Sequence, residues 1–295
     1  MIARFCVRLG VLVSFCLAAA ADEAPRETVQ FKASDGLQVT ADVYVVDKSS
    51  DRPFLILLHQ ARWSRGEYIE VAPWLNDLGY NCMAVDLRSG NTINGVVNET
   101  AKVARETERP DSCCACEPEI VAAVGYVRKQ YNPEDVVLVG SSFSASLALR
   151  LAGEKPGLVG GVVAFSPGEF FTSEGKCDDW ILQSAMKIKD LPVFIAWKKG
   201  ESDAWGDIAK KIPSEKRTVF VPEEGGHHGA RALWESTPGS EVVRAAMKAF
   251  LEKYYPVAPK GAEEEAEVEA EEASPPPDEP GESDEGDEIE PRGEQ

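Results

Sequence analysis

Three hydroxyls fall within five residues at Gly140-Ser141-Ser142-Phe143-Ser144, between the apolar run Val136–Val139 and a stretch of helical spacing. A serine at a sharp strand-to-helix turn can act as a nucleophile, because the turn lifts its hydroxyl clear of the backbone. Such a turn needs small residues two positions to either side. Ser142 is the best centred, with Gly140 before it and Ser144 after it. Ser141 and Ser144 are the alternatives, and the same hydroxyls would also serve as a helix N-cap. A serine hydroxyl needs an adjacent base near neutral pH. The chain has three histidines, His59, His227 and His228. The last two lie in Gly225-Gly226-His227-His228-Gly229, a loop pliable enough to carry an imidazole over Ser142. Asp203 follows the apolar run Val193–Trp197 through Gly200 and suits two roles, a partner for the imidazole or an N-cap for a helix starting near Ala204.

These groups must be positioned by something, and the apolar pattern says what. Thr28–Ala33 and Leu37–Val46 are β-rich runs joined at Asp35-Gly36, a hairpin signal. Pro53–His59, Asn81–Leu87, Asp135–Gly140, Leu158–Phe165, Leu191–Trp197 and Thr218–Val221 read as strands, several of them continuously apolar as in a sheet covered on both faces. Helical spacing runs from Gly66 to about Leu78, over Glu117–Tyr131, over Phe143–Ala152 and over Ser240–Tyr254. A long polar loop is expected after Leu87. Strands alternating with helices predict an α/β fold: a mostly parallel sheet with helices on both faces and an antiparallel N-terminal edge hairpin. In such sheets the functional loops sit at the C-terminal ends of the strands. His59, Ser142, Asp203 and His228 all follow strands on that one side.

The chain therefore resembles the α/β-hydrolase family, and its compact size resembles the dienelactone-hydrolase-like branch. The resemblance spans roughly residues 28–255. It rests on the strand–turn–helix at Ser142, the histidine loop after the first buried strand, Ala84-Val-Asp86-Leu-Arg88-Ser-Gly90 after the next, and the order Ser142, Asp203, His228. Dienelactone hydrolases carry Cys at the nucleophile, so the Ser here turns the expectation away from dienelactones. The resemblance implies Ser142 as nucleophile, Asp203 as acid and His228, in a His-Gly pair, as base, with His227 and Glu169 as alternatives. It also implies an oxyanion hole from the N–H groups of Phe143 and Ala61, with His59 orienting the second loop. Gln60 stands where the family shows Gly, which predicts a loop of different shape, since Gln adopts positive φ only at a cost. Trp63, Tyr68, Phe170, Phe171 and Trp180 are candidates for an apolar pocket. The short stretch between Phe165 and Trp180 leaves no room for a large lid. The implied activity is a serine hydrolase acting on small-molecule carboxylic esters, with amides a further class, through an acyl-enzyme. A non-catalytic binding protein on the same fold is the competing reading.

Composition limits the remaining classes. The chain has 295 residues and a formal net charge of −19. That charge argues against a nucleic-acid partner and against docking on an anionic membrane. Much of it lies in residues 261–295, where 16 acidic side chains face Arg292 alone. This tail, from residue 259 on, has almost nothing to bury and reads as disordered. It suits a solubilising role, and its charge also suits a basic partner or a cation. Residues 1–21 read as a signal peptide: Arg4 and Arg8, then a short apolar run, then Ala18–Ala21. The domain proper is residues 22–258, exported to the periplasm or beyond. In an oxidising compartment Cys177 is expected to pair with Cys113, Cys114 or Cys116, with Cys82 a buried free thiol. No metal is expected from the cysteine spacing, and no G-x-G-x-x-G follows a strand, so no cofactor is expected.

Overall fold

The computed structural model describes residues 26–49, 52–201 and 203–257, with the side chains of 203–205 left out. The expected signal peptide and acidic tail lie outside these residues. The chain opens with the hairpin of β1 (Arg26–Lys32) and β2 (Gln38–Tyr44), paired antiparallel. The turn between them is closed by Gly36 N–H donating to Ala33 O at 2.9 Å, with Gly36 at φ 84°. β3 (Phe54–Leu58), β4 (Asn81–Val85), β7 (Val136–Ser141), β8 (Gly161–Phe165), β9 (Val193–Ala196) and β10 (Arg217–Phe220) complete an eight-stranded sheet in the order β1-β2-β4-β3-β7-β8-β9-β10. From β4 to β10 every pairing is parallel, and only the β1–β2 and β2–β4 pairings are antiparallel.

Alternation along the central strands divides the core into two layers. Phe54, Ile56 and Leu58 of β3 face one way. They belong to the same apolar cluster as Ile120, Val124 and Val127 of α3 (Glu117–Tyr131), Leu147 and Leu151 of α4 (Phe143–Glu154), Ile181 of α5 (Trp180–Ala185) and Ile208 of α6 (Asp203–Lys211). Leu55 and Leu57 face the other way, with Val71 and Leu75 of α1 (Val71–Asp77) and Met247, Phe250 and Leu251 of α7 (Ser240–Tyr254). Burial on both faces is why these strands carry continuous apolar runs and not alternating ones. Among the described residues no helix is long and apolar enough to cross a membrane.

Two stretches depart from the sequence reading. The helix expected from Gly66 is broken into a 3₁₀ turn, Arg65–Tyr68, and then α1. Ser64 caps the turn by accepting from Gly66 N–H, and a Cβ at Gly66 would stand 2.4 Å from Ile93 O. That close seat against the next hairpin holds the turn in place and directs both Glu67 and Tyr68 inward, where neither is exposed. The expected polar loop after β4 contains a small hairpin, β5 (Thr92–Ile93) with β6 (Val96–Val97), and α2 (Glu99–Glu106). Asn94 and Gly95 take left-handed φ values of 50° and 74° in its two-residue turn, and Asn98 caps α2 by accepting from Ala101 N–H at 2.8 Å. Asn-Gly and an Asn cap are both local signals, hidden by the polarity around them.

Candidate active site

β7 ends at Ser141 and α4 begins at Phe143, so Ser142 alone makes the turn. It takes φ 58° and ψ −118°, a strained conformation for a residue with a Cβ. Strand and helix meet so closely that a Cβ on Gly140 would lie 2.4 Å from Ala145 Cα. Ser144, in the place of the usual glycine, fills its site with a working hydroxyl. Its Oγ donates to Leu58 O at 2.8 Å and accepts from Ser141 N–H at 2.9 Å, which ties the turn to the end of β3. Ser144 is thereby structural.

His228 and Ser142 come together across 86 residues: His228 Nε2 lies 2.8 Å from Ser142 Oγ. His228 Nδ1 lies 2.8 Å from Glu201 Oε1. A carboxylate there accepts, so the proton sits on Nδ1 and Nε2 is free to accept from the serine. In place of the expected Asp203, the carboxylate described on the imidazole is that of Glu201, two residues earlier. Asp203 opens α6, and its side chain lies outside the described residues. The reason for Glu201 is local. Gly200 turns the chain at φ 84°, Glu201 N–H donates back to Lys198 O at 3.1 Å, and Glu201 Oε2 accepts from Lys198 N–H at 2.9 Å. This folds the side chain back toward β8, where Ser166 Oγ donates to Oε2 at 2.8 Å. Burial alone would raise the Glu201 pKa, but the hydrogen bonds from His228, Ser166 and Lys198 N–H outweigh it and hold the group below its ordinary value. Ser166, at φ 52° just past β8, also accepts from Gly229 N–H at 3.0 Å. It links the acid to the histidine loop, and nothing in the sequence reading singled it out.

The loop expected to carry the second oxyanion donor runs from His59 to Trp63. His59 is wholly buried. Its Nε2 accepts from Leu87 N–H at 2.9 Å, so Nδ1 carries the proton and donates to Gln60 O at 2.8 Å. Burial lowers its pKa to about 4 against these two backbone contacts, and it stays neutral. It holds the loop by the Gln60 carbonyl. Gln60 escapes the strain anticipated for it, because the left-handed residue is Arg62 at φ 68°. The loop packs on Gly90, where a Cβ would lie 2.1 Å from Trp63 O. Behind it, Asp86 accepts from Arg65 N–H and Glu99 N–H at 2.8 and 2.9 Å and pairs with the Arg65 guanidinium at 2.6 Å.

No family model matches the chain, and the search of curated proteins finds no match. Solved structures do match. An esterase of Pyrococcus furiosus is 16% identical, with a TM-score of 0.58 over 78% of this chain and 91% of that one. Dienelactone hydrolase from Anabaena variabilis is also 16% identical, with a TM-score of 0.60 over 79% and 99%. The esterase domain of a Rhodothermus marinus protein is 12% identical, with a TM-score of 0.54 over 78% and 100%. The chain has the α/β-hydrolase fold.

Within that fold the remaining candidates find other work. Phe143 opens α4 directly after Ser142, and Ala61 follows Gln60 in the loop after β3. His227 Nδ1 donates to His228 O at 2.9 Å. Glu169 caps α5 by accepting from Ile181 and Leu182 N–H at 2.9 and 2.7 Å. Phe170 sets its ring edge-on to His228 at 6.4 Å, and Trp63 stacks on Trp234 at 5.4 Å. Phe171 is buried against Trp180 at 5.0 Å. Tyr68 is no pocket residue: it is buried, with its hydroxyl donating to Leu58 O at 2.8 Å. The expected disulfide is not formed. Cys82, Cys113, Cys114, Cys116 and Cys177 are free, and the 112–116 turn is joined to the Thr172–Glu174 turn by Glu174 instead, which accepts from Cys113 and Cys114 N–H at 3.0 and 2.7 Å. Among the described residues no group of three or more metal-ligating side chains comes together.

Proposed function

We propose that this chain is an exported serine hydrolase of carboxylic esters, with amides as a further class, in which Ser142, His228 and Glu201 act as nucleophile, base and acid. One observation carries the reading: the unbroken relay from Ser142 Oγ through His228 to Glu201, with both contacts at 2.8 Å. His228 Nε2 takes the Ser142 proton as Oγ bonds to the substrate carbonyl carbon. The C=O pair moves onto oxygen, and the N–H groups of Phe143 and Ala61 receive that charge. Glu201 stabilises the imidazolium as it forms. On collapse the alkoxide leaves with the proton from Nε2, and the acyl group stays on Ser142. Water then repeats the sequence, giving its proton to His228 and returning Ser142 as the acid departs. The short stretch between Phe165 and Trp180, with no room for a large lid, favours small esters. The signal-like residues 1–21 support export, and the acidic residues from 259 on support a solubilising tail.

The test is labelling of the purified protein with a fluorophosphonate probe, followed by turnover of short-chain nitrophenyl esters. The wild type should label and turn over, and Ser142→Ala should lose both, with kcat down by about 10⁶-fold as in other serine hydrolases lacking the nucleophile. A folded wild type that neither labels nor turns over esters would point to the binding-protein reading.

A further inference from the structure

Beneath the relay lies a second carboxylate that the mechanism above does not use. Glu67 is wholly buried in the 3₁₀ turn after the oxyanion loop. Its Oε2 accepts from Gln60 N–H at 2.7 Å and its Oε1 accepts from Ser141 Oγ at 2.7 Å. Ser141 Oγ in turn accepts from Ala230 N–H at 2.8 Å. The backbone of the same turn is pinned from another side, as Trp234 Nε1 donates to Glu67 O at 2.8 Å.

Each partner is a neighbour of a reacting group. Gln60 precedes Ala61, Ser141 precedes Ser142, and Ala230 lies two residues after His228. One chain of contacts, Gln60 to Glu67 to Ser141 to Ala230, thus joins the oxyanion loop, the nucleophile turn and the histidine loop. We propose that Glu67 is the positioning residue that holds the Ala61 N–H in register with Ser142. This rests on the serine-hydrolase reading.

The two peptide planes on either side of Gln60 carry the argument. The N–H of Gln60 is held by Glu67, and its C=O is held by the His59 ring. The second plane also contains Ala61 N–H, which must point away from His59. With both planes held, the donor has one direction. Glu67 is suited to this because its two carboxyl oxygens meet two partners at once, Gln60 N–H on one and Ser141 Oγ on the other. The join to the histidine loop is equally close, since a Cβ on Gly229 would lie 2.4 Å from Ser141 Oγ. No sequence signal marks Glu67, because its partners lie in other segments of the chain.

Glu67→Gln is the direct test. It keeps the shape but turns an amide NH₂ toward one of the two donors. Active sites are counted by fluorophosphonate titration, so that misfolded protein does not enter the rate. The expected result is a kcat lower by about 10- to 100-fold, the scale of a misplaced oxyanion donor. KM should stay within about two-fold, because the donor acts on the transition state and not on the bound ester. Inhibition by a trifluoromethyl ketone, which forms the same oxyanion on Ser142, should weaken by the same factor as kcat. A role confined to folding would lower the titrated sites and leave kcat per site unchanged, and that result overturns the proposal, as does a rise in KM alone. If Glu67→Gln yields no folded protein, Ser141→Ala decides. It cuts the same chain at the next link and should lower kcat per site by about five- to ten-fold with KM unchanged. An unchanged kcat there overturns the proposal. A wild type inactive on esters sinks the reading of the site itself, whereas an active wild type with an indifferent Glu67→Gln sinks only the role of Glu67.

Discussion

Two carboxylates flank Ser142, and they live in opposite environments. Glu201 lies on the loop side, half-buried, and three donors hold its pKa below the ordinary range. Glu67 is wholly buried against the C-terminal ends of β3 and β7, where burial pushes its pKa up to about 8 against the hydrogen bonds from Ser141 and Gln60 N–H. The same functional group is thereby suited to two tasks. A carboxylate that must answer a forming imidazolium needs its charge ready and some access to solvent. One that must hold backbone in place benefits from rigidity and accepts an unfavourable electrostatic position in return. The two histidines repeat the contrast. His228 is partly open over the nucleophile, while His59 is sealed and neutral with its tautomer set by Leu87 N–H.

The sharpest way to break the comparison is at Glu201. Glu201→Gln should cut kcat by about 10³- to 10⁴-fold, the effect of replacing a triad acid by its amide. Steady-state kinetics on Glu201→Gln beside Asp203→Asn checks it, and a larger loss in Asp203→Asn would return the acid's role to the position expected from sequence.

Stability against pH tests the other member. The folded pKa of Glu67, about 8, lies above its ordinary value of 4.5, so the folded state holds the proton more tightly than the unfolded one. The stability this provides is full below about pH 4.5 and is lost as pH rises toward and through about 8. Glu67→Gln removes that titration. The melting-temperature difference between variant and wild type should therefore move in the variant's favour steadily from pH 5 to pH 8, and a flat difference would refute the buried assignment.

A smaller effect is expected at Ser166, which joins Glu201 to the histidine loop. Ser166→Ala removes one donor to the acid and one acceptor for Gly229 N–H, and should lower kcat by about ten-fold, equivalent to roughly 1.4 kcal/mol. The smallest belongs to His227. His227→Ala should leave kcat/KM within about two-fold, as expected of a side chain outside the transition state; a loss comparable to that of His228→Ala would exchange the two histidines' roles.

Legibility followed the range over which each feature is decided. The turn at Ser142 could be read because its causes are adjacent: an apolar strand, Gly140, a small residue at 144 and a helix. The hairpin at Asp35-Gly36 was legible for the same reason. Glu201 was not singled out because its contact with His228 depends on a turn, with Gly200 at φ 84° and Lys198 N–H taking the carboxylate. Gln60 was expected to be strained, yet the loop places its left-handed residue at Arg62. That distribution is set by His59, Glu67 and Gly90, contributed by three separate segments. Cys177 was paired by compartment and proximity of loops, while the structure joins those loops through Glu174.

By itself, then, the amino-acid sequence determined the kinds and order of the main strands and helices, the parallel sheet, the serine at the strand–helix turn and the loop that bears its histidine. All of these follow from local periodicity and turn chemistry, which act over a few residues. The tertiary structure alone decided which carboxylate meets His228 and that Glu67 ties three loops together. These outcomes depend on where side chains point once segments far apart in the chain are packed, and a buried carboxyl group settles only where partners from several of those segments converge.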